Sequence, residues 1–564
     1  MIAKLWRRPE RLLLGLVFII LSASTIVWTL RDRTPPPWDP SDHLRYAYDY
    51  YRLLAHADFA GFAREVFTAK HYYAPFVHLV SALVFLITGA SRLTGIAVNL
   101  LSLAALMWGT TSIARLIYAD SAANNERSRT APSLWLSVLP ALIAACYHFN
   151  AWLMHDAFLD YPLIAAVTVS FAFLIRAGDF ADRRKALAFG IAAGVGMLVK
   201  QTFAFFFVLP ALYALLRVLW KRDRRATVNL ALAAVVLILI AGLWYVPHLR
   251  DVIAIYRENQ QAAVNENEAP LFNFDSNFFY IHALLSMQMQ LPFALLFAGG
   301  LVYSLVRRRN QSVLLYLWLL SGLVSFALVA NKDVRYTVPV LPAAAVLSVS
   351  WLRALTPVER VTAGKRKAVS ALKLVLVAAI TVWCFVSFFN AQWPRPGFGK
   401  TIDTPRYRWM VFARNYYGFD HRPLDDDWSV PEIVRTLVDL NRVHNEESTA
   451  AYSSAPPVLG VVVNLPYLNP SSVALYSRLL TNQRAGAPLI DVRWVIDPPM
   501  IERLQECDYV LVRTGLDEAD WVAKVERDVE QLIHRDPRFM QVAKFPVPLK
   551  NAEAILYRFE KSQR

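Results

Sequence analysis

Carboxylates and cations stand side by side in three short patches of an otherwise apolar chain. The first reads Trp38-Asp39-Pro40-Ser41-Asp42-His43-Leu44-Arg45-Tyr46-Ala47. Ser41 or Asp42 is the expected cap of a helix running to about Ala55. On that helix Asp42, Arg45 and Tyr46 fall within one turn and share a face. A carboxylate beside a guanidinium at a membrane surface can take a proton from a hydroxyl while the cation holds an anion. The same residues also fit a plainer role, a capping Asp with an Arg reaching to lipid phosphate. The second patch is His155-Asp156-Ala157-Phe158-Leu159-Asp160-Tyr161-Pro162. Pro162 suits a helix start, with Asp160 at or near its cap. That accounts for one carboxylate and leaves Asp156 over. The third patch is Asn331-Lys332-Asp333-Val334-Arg335-Tyr336. It is either an interfacial anchor or an anion clamp, because Arg offers phosphate a planar fork. Lys200, at a tight turn between two apolar runs, has the same two readings.

The elements that must carry these patches are membrane spans. The chain has 564 residues, 56% of them hydrophobic and 18% charged, against about a quarter charged in soluble proteins. Apolar runs recur to about residue 390 and then stop. Two domains follow: a transmembrane domain over 1–390 and a soluble α/β domain over 391–564, divided near Gln392-Trp393-Pro394-Arg395-Pro396-Gly397. Eleven apolar runs are candidate spans: 12–30, 94–117, 132–150, 161–177, 186–200, 202–219, 227–247, 289–306, 312–330, 336–352 and 370–390. In the C-terminal part, 458–465, 492–496, 509–512 and 554–559 read as strands and 517–534 as a helix.

A twelfth run, 75–90, decides the topology. If it crosses, the loops bearing Arg127 and Arg129, Arg183-Arg184-Lys185, Lys221 to Arg225, Arg307-Arg308-Arg309 and Lys365-Arg366-Lys367 lie opposite the basic N-terminus with Lys4, Arg7, Arg8 and Arg11. If it does not, all of them share the cytoplasmic side, as basic loops prefer. The second choice makes 75–90 an interfacial helix or a re-entrant hairpin. The N-terminus then reads as an uncleaved signal anchor, since an apolar run of about 18 residues is too long for a signal-peptide core. Segments 31–74, 151–160, 248–288 and 331–335 fall outside, as does the C-terminal domain, placing a multi-pass protein in the cell (inner) membrane. Loop 248–288, with Glu258, Glu266, Glu268 and Asp275, is either a lid or a solvated loop. The net charge of +15 is spent on cytoplasmic loops, which excludes nucleic acid as the partner. Cys146, Cys384 and Cys507 offer neither a disulfide framework nor metal-ligand spacing.

The patches resemble a known family. Asp42-His43-Leu44-Arg45-Tyr46-Ala47 looks like the Asp-Glu-x-Arg-Tyr-Ala motif in the first outer loop of GT-C fold glycosyltransferases, in the protein mannosyltransferase and aminoarabinose transferase-like group. Asp160-Tyr161-Pro162-Leu163 resembles that group's Asp-x-Pro-Leu. Gly194-Val195-Gly196-Met197-Leu198-Val199-Lys200-Gln201 resembles its Gly-x-x-x-Leu-x-Lys-Gly. Lys332-Asp333-Val334-Arg335-Tyr336, with Pro339 and Pro342, resembles its Lys-x-x-Arg-Tyr segment and the prolines after it. Tyr72-Tyr73-Ala74-Pro75 stands where the group has Lys-Pro-Pro, and His43 where it has Glu. Lys70 or His71 could replace the missing lysine.

The resemblance implies a GT-C-like polytopic helical protein with about eleven transmembrane helices, interfacial helices and the soluble α/β domain. It implies transfer of a sugar from a polyprenyl-phosphate donor to an acceptor hydroxyl, with inversion, on the extracytoplasmic face. Asp42 is then the base, with Asp160 and Asp156 as further acidic positions. Arg45, Tyr46, Lys200, Lys332 and Arg335 bind the donor phosphate. A protein, a lipid or a glycan would serve as acceptor. The sequence requires no cofactor; a divalent metal is compatible with the chemistry, but no ligand cluster supports one. The rival classes are a transporter and a non-catalytic assembly protein of envelope polysaccharide. Charges gathered at span ends, with no paired half-repeats, speak against the transporter.

Overall fold

The structure is a computed structural model that describes residues 9–68, 72–119, 134–265, 268–307, 312–355, 363–395, 397, 399–412, 421–447, 456–480, 488–495, 502–515 and 523–561. Lys4, Arg7, Arg8, Lys70, His71, Arg127, Arg129, Glu266, Arg308, Arg309, Pro396 and Ile496 lie outside the described residues, as do the side chains of Lys365 and Arg366.

Chain in lipid must satisfy its backbone hydrogen bonds within the segment, so the apolar runs become helices. Among the described residues, each of the eleven expected spans overlaps at least one helix. Five helices among the described residues are long and apolar enough to cross alone: Pro9–Arg31, Arg92–Tyr118, Asp160–Ala177, Arg224–Tyr245 and Lys367–Gln392. Phe274–Gln288 and Leu291–Val306 make a sixth candidate, bent by 117°. The other runs are shorter or broken. Leu134–Cys146 is separated from His148–Leu153 at Tyr147, and a 3-10 turn over Gln201–Phe206 precedes Val208–Lys221.

Two spans show how the ends of the molecule differ. Asp160–Ala177 and Arg183–Val199 are joined by a turn in which Gly178 takes φ 54°. Asp182 caps the second helix by accepting the amides of Arg184 (2.9 Å) and Lys185 (3.3 Å). Asp179 in the same turn pairs with Arg217 (2.6 Å) and Lys221 (2.5 Å). At the opposite end of the pair, Lys200 Nζ lies 2.7 Å from Asp160. The basic turns thus gather at one end and the Asp160–Lys200 pair at the other.

The helix of the first patch runs from Trp38 to Ala55 with Pro37 at its cap. It begins a turn earlier than the Ser41 or Asp42 cap expected from sequence. Pro35 to Pro37 restrict the approaching backbone, and Pro40 in the first turn needs no N–H partner. Ser41 Oγ instead donates to the Pro36 carbonyl at 2.6 Å. The 75–90 run forms one helix, Phe76–Thr88, which ends at Gly89 with φ 79°. At about 20 Å it is shorter than the hydrocarbon layer. It packs on the Trp38–Ala55 helix through a 3.2 Å contact between His78 Nε2 and His43 Nδ1.

Beyond the helix ending at Gln392, the strands are β1 (Thr401–Asp403), β2 (Arg408–Met410), β3 (Val458–Val461), β4 (Asp491–Trp494), β5 (Tyr509–Arg513), β6 (Phe539–Pro546) and β7 (Glu553–Phe559). β1 and β2 form a hairpin, and the rest form one sheet in the order β4-β3-β5-β7-β6. β3 is parallel to β4 and β5, while β7 and β6 are antiparallel. Apolar clusters cover both faces, one around Leu459, Val461 and Leu511, the other around Val510, Val512 and Val529. The hairpin and β6 were absent from the sequence expectation. β6 sits at the sheet edge and carries Lys544 and Pro546 within its run, a composition that natural edge strands use against mispairing.

Candidate active site

A cavity of about 520 Å³ opens at the end where Asp160 meets Lys200. Side chains from all four segments expected outside line it: Asp39, His43, Tyr72 and Tyr73; Phe158 and Asp160; Ile255, Tyr256, Asn259 and Glu268; and Asn331 to Arg335. Its size suits a small-molecule substrate.

Two ionic clusters shape it, Arg335 with two carboxylates and Lys200 with one. Arg335 Nη1 donates to Asp39 Oδ2 at 2.9 Å, while its Nη2 and Nε hold Asp333 Oδ2 at 2.6 and 2.8 Å. The Arg335 guanidinium also lies 4.8 Å from the centre of the Phe158 ring. Burial works against the charge on Arg335, but Asp333, Asp39 and Asp160 outweigh it and raise its pKa. The second cluster is the Lys200–Asp160 pair. The side chain of Asp39 is 40% exposed, that of Asp333 23% and that of Asp160 only 4%, so of these three Asp39 is the carboxylate most open to a substrate. Burial, then the cations Lys200, Arg335 and Arg45, lower the pKa of His43 and keep it neutral. Tyr73 is held protonated, by burial first and by Asp39 second.

Not all the residues singled out from sequence meet here. Asp160, Lys200, Lys332 and Arg335 line the cavity; Asp42, Arg45, Tyr46 and Asp156 do not. Asp42 receives Arg45 Nη2 at 2.9 Å and Ser471 Oγ at 2.7 Å. Arg45 stacks on Tyr46, 4.4 Å from its ring centre. Asp156 lies 3.5 Å from Arg92, which also holds Asp32 at 2.5 Å. Asn99 fixes the Asp156 backbone through its carbonyl at 2.7 Å. Lys332 points its ammonium at the carbonyls of Phe326, Ala327 and Val329 (3.3, 2.9 and 2.6 Å). It thus caps the C-terminus of the Val313–Ala327 helix, and burial lowers its pKa.

Asp39 and Asp333 are cavity carboxylates to which the motif resemblance gave no role. The signal for Asp39 was the Pro37-Trp38 start: a helix beginning there puts Asp39 and His43 at i and i+4, on one face. In loop 248–288, helix Leu249–Asn265 contributes to the cavity wall. Glu268 accepts the Lys332 amide at 3.3 Å, and Asp275 binds Tyr407 and Arg406 of the β1–β2 hairpin (2.7 and 3.0 Å). Among the described residues, no three of His, Cys, Asp and Glu gather as a metal site.

The sequence model of the Alg9-like mannosyltransferase family matches residues 75–409, more than half of the chain. The chain belongs to that family. The match begins at Pro75, so the Alg9-like segment follows the Trp38–Ala55 helix and includes Asp160, Lys200 and Arg335. The GT-C resemblance read from the motifs holds, and this Alg9-like protein is a multi-pass membrane glycosyltransferase. Its fold is similar to that of ArnT from Cupriavidus metallidurans in the apo state, with a TM-score of 0.53 and 15% identity over 100% of this chain and 99% of that one. The same ArnT bound to undecaprenyl phosphate gives a TM-score of 0.50 and 15% identity, over 98% of each chain. No curated protein sequence matches significantly. Membership of a glycosyltransferase family sets aside the transporter and assembly-protein readings.

Proposed function

We propose that this Alg9-like enzyme moves a sugar from a polyprenyl-phosphate donor to an acceptor hydroxyl with inversion, and that Asp39 is the general base. The observation that carries the reading is the meeting of Asp39, Arg335, Asp160 and Lys200 around one cavity. The acceptor oxygen attacks the anomeric carbon, its proton passes to Asp39, and the bond from that carbon to the phosphate oxygen breaks. The phosphate leaves with the electron pair. A base within reach of the hydroxyl lowers that barrier, and fixed cations stabilise the departing charge. Arg335 and Lys200 are the cations at hand, and Asp333 and Asp160 hold them in place. The solved ArnT complex supports a lipid phosphate as donor, since that protein shares the fold and binds undecaprenyl phosphate.

The motif resemblance gave the base to Asp42. The geometry favours Asp39, because Asp39 lines the cavity, whereas Asp42 does not and is turned to Ser471 of the C-terminal region. The site belongs on the extracytoplasmic face of the cell membrane, as the segregation of basic turns supports. The test is a deletion strain complemented with Asp39→Asn or Asp42→Asn, read by mass spectrometry of envelope glycans and polyprenyl-linked sugars. Deletion removes one sugar from an envelope product and identifies the transferred residue. Asp39→Asn, expressed normally, cuts transfer by about 100-fold or more, and Asp42→Asn by much less. Full transfer by Asp39→Asn ends this assignment of the base.

A further inference from the structure

The Trp38–Ala55 helix has two working faces. One presents Asp39 and His43 to the cavity, and the other lies against the C-terminal region. Four contacts run along that second face. Trp38 Nε1 donates to Asn464 Oδ1 at 2.7 Å, in the loop that follows β3. Ser471 Oγ donates to Asp42 at 2.7 Å. Leu475 packs with Leu44, Ala47 and Phe85 in one buried cluster. Arg478 Nε meets Asp49 at 3.2 Å. Asp42 and Asp49 are seven apart, as are Ser471 and Arg478, so the helix over Pro470–Leu479 follows its partner for two turns. Asp42 lies at the N-terminus of that helix, where the dipole favours a carboxylate. The seat is itself fixed, because Asn469 and Ser472 form a reciprocal capping box.

We infer that the C-terminal region is a splint for the active-site helix, with Asn464 and Ser471 as positioning residues that hold the turn bearing Asp39. This rests on Asp39 being the base. It gives Asp42 a role in transfer without chemistry at the sugar. A shift of the base by about 1 Å is enough to cost up to a hundredfold in rate, while the cations that would hold the lipid phosphate, on other elements, stay where they are.

The test uses the full-length protein in nanodiscs and the complemented deletion strain. Asn464→Ala combined with Ser471→Ala lowers transfer about tenfold. The affinity for undecaprenyl phosphate stays within about twofold, since Lys200 and Arg335 are untouched. Amide hydrogen exchange quickens in 38–55 and not elsewhere. Ser471→Thr, which keeps the hydroxyl, restores most of the transfer that Ser471→Ala loses. Unchanged transfer, or exchange that quickens throughout with a fall in thermal stability, overturns the inference. Asp39→Asn separates the two ideas. If it stays active while the double variant loosens 38–55 and slows transfer, the base is misassigned and the splint stands. If it is inactive while the double variant behaves as the parent, the base stands and the splint fails.

Discussion

The Asp160–Lys200 pair is the most deeply buried ion pair of the described site, with side chains 4% and 13% exposed. Taking away one partner leaves the other charge without compensation, which costs about 3–5 kcal/mol. Lys200→Met therefore lowers the thermal unfolding midpoint in detergent, and Asp160→Asn with Lys200→Met recovers part of the loss. A single variant as stable as the parent means the pair does not form. His43 gives a pH signature. Its folded pKa lies well below 6.5 because burial and three cations oppose its charge, while the unfolded imidazole takes a proton near 6.5. The unfolded state thus binds more protons below that pH. Stability from His43 is complete above pH 6.5 and falls as the pH drops from there toward the folded pKa, by up to about 1.4 kcal/mol per unit. His43→Gln removes this slope, so thermal scans at pH 7.5 and 5.5 differ less for the variant than for the parent. Equal losses in both overturn the account. At this scale the sequence showed which patches hold charge, and Asp160, Lys200 and Arg335 were readable from it. The choice between Asp39 and Asp42 was not. It depends on what packs on the far face of their helix, and that partner, Ser471, stands 429 residues from Asp42.

Helices were readable wherever apolar length set them, and their breaks were not. The break at Tyr147 and the 3-10 segment at Gln201–Phe206 leave no trace in hydropathy, which records apolar length and not local backbone geometry. Close approach is set by small residues, and an adjacent pair of glycines isolates the effect. A Cβ on Gly300 would lie 2.2 Å from the Leu347 carbonyl oxygen, whereas one on Gly299 meets nothing within 4 Å. Both sit in the Leu291–Val306 helix, so Ala gains similar helix propensity at each. Gly300→Ala must push backbone from backbone and costs about 1–3 kcal/mol. Gly299→Ala is neutral or mildly stabilising. Thermal unfolding of the two variants checks this, and equal midpoints overturn the close-packing account. Gly190 faces the same constraint from the Ala233 carbonyl at 2.5 Å. The run Gly190 to Gly196 therefore reads as a packing surface for the Arg183–Val199 helix that leads into Lys200, beside its resemblance to a family motif.

For the whole molecule, the question is which side of the membrane holds the cavity, and the Phe76–Thr88 helix decides it. Asp32 directly follows the Pro9–Arg31 helix, and Arg92 follows Phe76–Thr88; the two are bonded at 2.5 Å. Chain on either side of the short helix therefore ends at one level, which supports a helix that does not cross. The Asp39–Arg335 pair at 2.9 Å points the same way, since it joins the first outer segment to the last. Single cysteines test this without background, because Cys146, Cys384 and Cys507 are free but buried. Ala60, Ser91 and Arg225 are exposed. In intact cells, a membrane-impermeant maleimide labels Ala60→Cys and Ser91→Cys, and reaches Arg225→Cys only after permeabilisation. Labelling of Ala60→Cys with protection of Ser91→Cys would mean that the helix crosses. Asp32 and Arg92 would then lie on opposite faces, their bond could not form, and the cavity that unites Asp39 with Asp160 would come apart with it.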